Sequence, residues 1–262
     1  MASGKPISYT KSHAAVTQDG SALQKYQQIM VGRSSIMSLV YYEFCMWLSG
    51  IPGALGLFLR KKFWPRLFGS CGRGVLFSSH IIVRHPHRIH IGNNVVISER
   101  CILDARTESS EQVITLGDNV ILSNDVALTC KGGSIQIGND VGVGMQTVMQ
   151  STYDCPINMG KDTMIGPRCY FVAGGSYKTD RIDIPMRLQG IQSESGIEIG
   201  EDVWFGANVT VLSSIQIGRG SIVGAAAVVT KSVEPMSVCV GNPAKVLRRR
   251  PSNNKLQQPS DE

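Results

Sequence analysis

From Ile91 onward, an aliphatic or aromatic residue returns every six positions, in six groups of three. A step of six residues fits neither the 3.6-residue period of an α-helix nor the two-residue alternation of a strand, but it does fit short strands that each end in a turn. The anchors are Ile91, Ile97, Leu103; Leu116, Leu122, Leu128; Ile137, Val143, Met149; Met159, Ile165, Phe171; Ile199, Phe205, Val211; Ile217, Val223, Val229. The pattern predicts an all-β solenoid of about six coils, each with three sides.

The residue after each anchor depends on its place in the triplet, which supports the grouping by threes. Glycine follows every first anchor, serine or glycine follows every second anchor, and glycine never follows a third. Turn formers such as Asn93-Asn94 come next on the first side, and these residue types tolerate left-handed backbone angles. Cys101 and Cys169 occupy a position where small residues recur, so we expect them to pack inside the tube rather than to react.

Every departure from the six-residue step follows a third anchor. The intervals from 103 to 116, 128 to 137, 149 to 159 and 171 to 199 are all longer than six. The longest contains "FVAGGSYKTDRIDIPMRLQG", residues 171–190. All loops are therefore predicted at one corner of the tube, and residues 173–197 are predicted to form a flap, where function commonly lies.

The segment 35–68 before the repeats is strongly apolar, yet it contains Glu43 and a Gly-Ile-Pro-Gly break at residues 50–53. A membrane-spanning helix needs about 20 apolar residues, and the break leaves two shorter pieces. We expect helices that lie in a membrane interface, or a helical layer packed on the assembly. The predicted organisation is a flexible tail (1–33), an apolar and basic helical segment (34–78), a β-helix domain (79–246) and a basic, then flexible tail (247–262).

The net charge of +6 is concentrated in two clusters, one around residues 60–66 and one at residues 245–250. No nucleic-acid-binding motif accompanies them, so phosphorylated cofactors or acidic lipid head groups are the favoured partners. The seven cysteines are odd in number and form no C-x-x-C pair. A reduced protein is therefore expected. The polar residues 1–33 contain no signal-peptide core, which favours a cytoplasmic location, with attachment to the inner face of the membrane as a further expectation.

The repeat [LIV]-G-x-x-[VTS]-x, with "IGEDVWFGANVTVL" (199–212), "IGRGSIVGAAAVVTKSV" (217–233) and "GNPAKVLRRR" (241–250), resembles the hexapeptide-repeat acyltransferases. Within them it is most similar to sugar O-acetyltransferases, over about residues 80–250. The resemblance implies a left-handed parallel β-helix, a homotrimer and acetyl-CoA as the acyl donor, with no metal. It also implies active sites between protomers, beside the flap.

The same resemblance implies a set of cofactor-binding residues on the last coils. They are Trp204, Gly206, Ala207, Gly224, Ala225, Lys231, Lys245 and Arg248. Backbone amides at small residues can approach a pantetheine chain closely. The glycines could equally serve only their turns.

The family's general base is a histidine at the start of the flap, and this chain has none there. The corresponding position is Ser176, or Tyr177 after a shift of one residue. His85 and His87 are predicted at the same corner but four coils away, about 19 Å. The remaining candidates for orienting the acceptor or taking its proton are Tyr177, Asp180, Asp183 and Asp154.

The sequence favours an acyl-CoA-dependent O-acyltransferase, most simply an acetyltransferase, acting on a sugar hydroxyl of a polysaccharide or its lipid-linked precursor. The alternative is a catalytically inactive scaffold or ligand-binding subunit, favoured by the missing histidine. A zinc-dependent carbonic anhydrase of the same fold ranks low, because residues 91–262 contain no histidine.

Overall fold

A computed structural model describes residues 21–107 and 112–251, so residues 1–20 of the predicted N-terminal tail and residues 252–262 of the predicted C-terminal tail lie outside the described residues. The described part begins with helices and continues as strands. The helices are α1 (Ala22–Tyr26), which runs into a π-helical turn (Gln27–Val31), α2 (Ile36–Ser49), α3 (Gly53–Phe63) and a 3₁₀ turn (Trp64–Leu67). Two further 3₁₀ turns lie at Pro86–Arg88 and Met186–Leu188.

The helices close the N-terminal end of the tube. Trp64 is fully buried and donates its indole N–H to the carbonyl of Cys45 (2.9 Å). Phe68 stacks on Phe77 of the first coil at 5.4 Å between ring centroids. The Tyr42 hydroxyl, also buried, donates to the carbonyl of Val83 (2.7 Å). The cap therefore continues the apolar interior of the tube.

Arg60 ties the cap together from within. Its side chain is buried, and it donates to the carbonyls of Phe77 (2.9 Å), Leu48 (2.9 Å) and Ile51 (2.7 Å). Burial lowers the pKa of its guanidinium. A Cβ at Gly56 would overlap the Ile51 carbonyl and lie 2.8 Å from the guanidinium. One buried cation thus joins α3, the end of α2 and the first coil.

The strands form three parallel sheets that wrap around one axis. The first sheet contains β1 (Ser70–Cys71), β4 (Ile89–Ile91), β7 (Ile114–Leu116), β10 (Ile135–Ile137), β13 (Ile157–Met159), β16 (Ile197–Ile199) and β19 (Ile215–Ile217). The second contains β2 (Leu76–Phe77), β5 (Val96–Ile97), β8 (Ile121–Leu122), β11 (Gly142–Val143), β14 (Met164–Ile165), β17 (Trp204–Phe205), β20 (Ile222–Val223), β22 (Ser237–Val240) and the antiparallel β23 (Lys245–Arg249). The third contains β3 (Ile82–Arg84), β6 (Ile102–Arg106), β9 (Ala127–Lys131), β12 (Val148–Thr152), β15 (Tyr170–Ala173), β18 (Thr210–Val211) and β21 (Val228–Val229).

The predicted anchors form the interior of the tube, and all of them are buried. Anchors of successive coils are register partners: Ile97 pairs with Leu122, which pairs with Val143. Each buried aliphatic side chain contributes roughly 1.5–3 kcal/mol of transfer free energy. The predicted β-helix is confirmed, and these ladders are its core.

The structure has seven coils where the six-residue pattern predicted about six. The extra coil comprises β1 to β3, and its inward residues Cys71, Phe77 and Val83 are also six apart. The predicted domain start at residue 79 differs from the structure because this coil opens on a cysteine and is followed by an eight-residue interval. The helical residues 22–31 and residues 247–249 of strand β23 likewise fall inside segments predicted as tails.

The turns and loops follow the predicted arrangement. Asn94, Asn119, Asp140 and Asp202 all adopt left-handed backbone angles in the turns between the first and second sheets. From β1 to β19, every longer connection runs from the third sheet to the first. The loops therefore all leave the tube at one corner, here called the loop corner.

The outer faces of the sheets differ in polarity. Outward positions on the first sheet are polar: His90, Thr115, Gln136, Asn158, Glu198 and Gln216. Those on the second sheet are mostly apolar: Leu76, Val96, Ile121, Met164, Trp204 and Ile222. The third sheet carries a similar row that includes Ile82, Ile102, Val148, Tyr170 and Val228. Two of the three walls thus expose apolar side chains.

Candidate active site

The flap leaves the tube after β15 and returns before β16. Gly174 and Gly175 at its start and Gly196 at its end have positive φ angles, which favour glycine. The N–H of Gln192 donates to the carbonyl of Ser176 (2.8 Å), and the N–H of Lys178 donates to that of Gly190 (3.0 Å). The two arms of the flap are therefore paired near its root.

At this root, Ser176 meets Glu194. The Ser176 hydroxyl donates to Oε1 of Glu194 (3.0 Å), and the Ser176 N–H donates to Oε2 (3.2 Å). The Glu194 side chain is half-buried, whereas Ser176 is exposed. Two donors on one residue fix the carboxylate. A serine–glutamate pair therefore lies where the resemblance implies a histidine.

The neighbouring corner loop, residues 153–156, is bound to the flap. The Cys155 thiol is buried and donates to the backbone carbonyl of Glu194 (3.2 Å). Burial raises the pKa of this thiol, and the nearby carboxylates of Glu194 and Asp154 raise it further. Asp154 itself is exposed on the same loop. The loop therefore places Asp154 beside the flap root, while Cys155 is held in its protonated form.

The outer flap carries the other predicted candidates. Tyr177 and Asp180 are exposed, and Tyr177 forms an antiparallel bridge with Ile191. Asp183 forms an ion pair with Arg181, whose guanidinium lowers the pKa of that carboxyl. Ser176 thus contacts Glu194, Tyr177 lies in the paired arms opposite Ile191, and Asp183 is engaged within the flap.

Glu194 was not among the residues predicted from the sequence. A signal for it exists: Ser176 lies three positions after the start of the 173–197 excursion, and Glu194 lies three positions before its end. An insertion whose ends return to adjacent strands must bring such positions together. The sequence therefore predicts that Ser176 and Glu194 are close, and the folded structure gives the distance between them.

His85 and His87 lie at the loop corner but on the first coil, four strand spacings from the flap, or about 19 Å. The Nε2 atom of His85 is 2.8 Å from the Gln28 carbonyl, and a Cβ on Gly32 would overlap both rings. Burial lowers the pKa of His85, and it lowers that of His87 to about 4, helped by the charges of Arg33 and Arg88. These histidines hold the π-helical turn against the tube.

We expect the protein to lose stability as the pH falls from 7 to 4. The folded pKa of His87 is lower than the unfolded value near 6.5, so the unfolded chain binds more protons in this window. The contribution is about 1 kcal/mol, because solvent reaches part of the ring. Urea unfolding at several pH values, with His87→Gln beside the exposed His80→Asn as control, measures it. Equal losses in wild type and His87→Gln would contradict this assignment.

The predicted cofactor residues lie on the last coils. Trp204, Ile222, Val238 and Arg248 are register partners across four neighbouring strands of the second sheet. Trp204 is 56% exposed, and Lys231 and Lys245 are also exposed. An aromatic surface and a basic strand therefore share one wall, separated by about 14 Å.

The small residues of this set lie at the corner between the second and third sheets. A Cβ on Gly206 would lie 2.6 Å from the N of Ala225, and one on Gly166 would lie 2.7 Å from the N of Ala207. Gly224 faces a side-chain atom of Val240 at 2.8 Å. Because a side chain at these positions would overlap the next coil, the packing of the coils alone requires glycine there, with or without a bound cofactor.

Within residues 21–107 and 112–251, no group of three or more His, Cys, Asp or Glu side chains is arranged to hold a metal ion. All seven cysteines are free. Across the same described residues, no helix is both long enough and apolar enough to span a bilayer.

Comparison with known proteins identifies relatives of this chain. Residues 196–231 match the family described as bacterial transferase hexapeptide (six repeats). A Staphylococcus aureus (strain COL) protein named as an acetyltransferase is 34% identical over 123 residues, which cover 41% of this chain and 62% of that protein. A Mycobacterium tuberculosis (strain ATCC 25618 / H37Rv) protein, also named as an acetyltransferase, is 32% identical over 189 residues, or 72% of this chain and 57% of that protein.

Among solved structures, one similar fold is AntD, an N-acyltransferase from Bacillus cereus in complex with dTDP and 3-hydroxybutyryl-CoA. The TM-score is 0.50 at 22% identity, with 72% of this chain and 87% of AntD covered. This likeness concerns the fold. The chain spans less than two thirds of the length of the two sequence relatives. The repeat, the confirmed β-helix and these sequence relatives bear out the resemblance of the chain to the hexapeptide-repeat acyltransferases.

Proposed function

We propose that the protein transfers an acyl group, most simply acetyl, from coenzyme A to a hydroxyl of a sugar in a polysaccharide or its lipid-linked precursor. The similarity to the mycobacterial protein named as an acetyltransferase, over 72% of this chain, is the observation that carries the proposal. The flap, the serine–glutamate pair and the basic end of the second sheet supply groups suited to that chemistry. Transfer would take place in the cytoplasm.

In the proposed reaction, the acceptor hydroxyl attacks the thioester carbonyl and gives its proton to a base. Glu194 is our candidate base, because Ser176 holds its carboxylate from two sides at the flap root. A positioned carboxylate can take this role within hydrogen-bond reach of the hydroxyl. The thiolate of coenzyme A then leaves and takes up a proton.

The remaining flap-side residues are assigned to the acceptor. Tyr177 could donate a hydrogen bond to the sugar or to the developing oxyanion. Asp180 and Asp154 are exposed carboxylates that could orient sugar hydroxyls. Asp183, which is paired with Arg181, has a supporting role in shaping the flap.

Coenzyme A is proposed to lie along the second sheet. Trp204 would contact the pantetheine chain, together with backbone amides at Gly206, Ala207, Gly224 and Ala225. Lys231, Lys245 and Arg248 would face the phosphates, which attract exposed cations. The apolar rows on the second and third sheets favour burial against further copies of this chain, and a homotrimer, with a site between protomers, is the assembly that we propose.

The function is tested by titrating acetyl-CoA into the protein and then supplying a panel of sugars and lipid-linked sugars. We expect binding and transfer of labelled acetyl groups. Trp204→Ala and Arg248→Ala should each weaken binding about tenfold, since each removes one contact worth about 1.4 kcal/mol. Trp47→Ala, which removes an exposed tryptophan from the cap rather than from the second sheet, is the matched control. Failure of the wild-type protein to bind any acyl-CoA would refute the proposal.

The alternative function is a catalytically inactive subunit that binds a ligand or acts as a scaffold. The observation that favours it is the absence of histidine at positions 176 and 177. The same titration separates the two functions. Binding of acetyl-CoA without transfer to any acceptor in the panel would favour the inactive subunit.

A further inference from the structure

One face of α2 exposes an unusual run of large apolar side chains. The exposed residues are Ile36, Met37, Val40, Phe44 and Trp47, with Met37 at 78% and Trp47 at 69%. At 100° per residue they occupy an arc of about 100° on the helix. The opposite side packs on the cap through Tyr42, Cys45 and Leu48, which are buried. The helix is therefore apolar on both sides, and only one side is covered.

The neighbouring helix α3 exposes large apolar side chains as well. Leu55 and Phe58 are 64% and 62% exposed, and Lys62 follows them on the same side at the next turn. The rings of Phe44 and Phe63 meet edge to face at 5.2 Å, which joins the two helices. The Tyr41 hydroxyl also donates to the carbonyl of Phe63 (2.7 Å). The seven exposed apolar residues of α2 and α3 are named here the cap surface.

Positive charge borders the cap surface. Residues 33–66 contain five cationic side chains and one carboxylate, Glu43. Arg60 is buried in the cap, whereas Arg33, Lys61, Lys62 and Arg66 are exposed. The Glu43 carboxylate accepts a hydrogen bond from the Tyr26 hydroxyl (2.5 Å). This carboxylate therefore already has a partner, at the edge of the cap surface. An exposed apolar surface of this size, bordered by cations, marks a place of interaction.

The charge argues for an anionic partner rather than a second copy of the same surface. A second copy of the same surface carries the same excess of positive charge at its border, so contact between two copies gains no charge complementarity. The α2 helix has 14 residues and α3 has 11, so each can lie on a bilayer but not cross it. Exposed Trp and Phe side chains with nearby lysines suit the interfacial region of a membrane.

We propose that the cap surface binds the head-group region of an anionic lipid bilayer, with the apolar side chains of α2 and α3 inserted and Lys61 and Lys62 at the phosphates. The tube axis would then stand away from the membrane, because the cap closes one end of the coils. The proposal concerns a surface distant from the flap, and it holds whether or not the chain transfers acyl groups.

Vesicle sedimentation with the full chain tests the proposal. Wild-type protein is expected to sediment with phosphatidylcholine vesicles containing about a third phosphatidylglycerol, and less with phosphatidylcholine alone. Met37→Gln combined with Trp47→Gln should lower the partition coefficient at least tenfold. Lys61→Ala combined with Lys62→Ala should lower it about tenfold on anionic vesicles only, since each lysine near such a surface contributes attraction.

Ile182→Gln combined with Met186→Gln is the matched control, because it removes exposed apolar side chains from the flap, at a distance from the cap. Wild-type protein that stays in the supernatant with anionic vesicles would overturn the proposal, as would equal sedimentation of the α2 variant. Sedimentation velocity without lipid adds a further outcome. If the α2 variant falls to a smaller assembly than wild type and neither binds vesicles, the cap surface is an interface between copies of the chain.

Discussion

Replacing Glu194 with glutamine is expected to lower the turnover of acyl transfer by about 10²–10⁴-fold, the usual contribution of a positioned base. The affinity for coenzyme A should stay unchanged, because the flap root is separate from the basic end of the second sheet. Glutamine keeps the size of the side chain and can still accept from Ser176. The change therefore removes charge and basicity while the flap keeps its shape.

Fixed-time assays with labelled acetyl-CoA measure the turnover, and calorimetry measures the affinity for coenzyme A. Glu201→Gln is the control, since Glu201 is an exposed glutamate on a turn at another corner of the tube. Ser176→Ala should lower turnover only about tenfold, because the carboxylate remains and loses one hydrogen-bond donor. Turnover of Glu194→Gln within twofold of wild type would exclude Glu194 as the base and leave Tyr177, Asp180 and Asp154 as the candidates.

Arg60→Ala is expected to reduce the free energy of unfolding by about 3–5 kcal/mol. The three carbonyls of Phe77, Leu48 and Ile51 would lose their donors in a buried place, and each such loss costs roughly 1–3 kcal/mol before relaxation. The cavity left by the side chain adds to the cost. The loss should be concentrated in the cap rather than in the distant coils.

Urea unfolding with hydrogen exchange measures the total and its location. Lys61→Ala, one residue away and exposed, should change stability by less than about 0.5 kcal/mol. The stability loss of Arg60→Lys should lie between those of Arg60→Ala and Lys61→Ala, because an ammonium reaches fewer carbonyls than a guanidinium. Full stability of Arg60→Ala would show that the cap does not depend on this side chain.

The coils could be predicted from the sequence because their contacts repeat. Ile97, Leu122 and Val143 fill equivalent places, so the period alone determines what each one touches. The first coil was missed because Cys71 stands where an aliphatic anchor was expected. The repeat period holds in the sequence even there, since residues 71, 77 and 83 keep the step of six.

The contacts that occur once could not be predicted in the same way. Arg60 looks like a member of a basic surface cluster, and only the packing of α3 against the first coil shows its side chain inside. Glu194 is one acidic residue among several in a polar loop, and its partner is 18 positions away. Such residues act through a single neighbour rather than through a period, so their role depends on the folded chain.

The loop corner has a consequence for how this protein could diversify. The flap departs from β15 and rejoins at β16, while both strands keep their pairing with the coils on either side. Residues 179–189, beyond the paired arms, could therefore be shortened, extended or exchanged for another segment without loss of a ladder hydrogen bond or of the Ser176–Glu194 pair. Acceptor specificity could therefore evolve by changes in the outer flap alone, while selection on the residues of the β-helix stays the same.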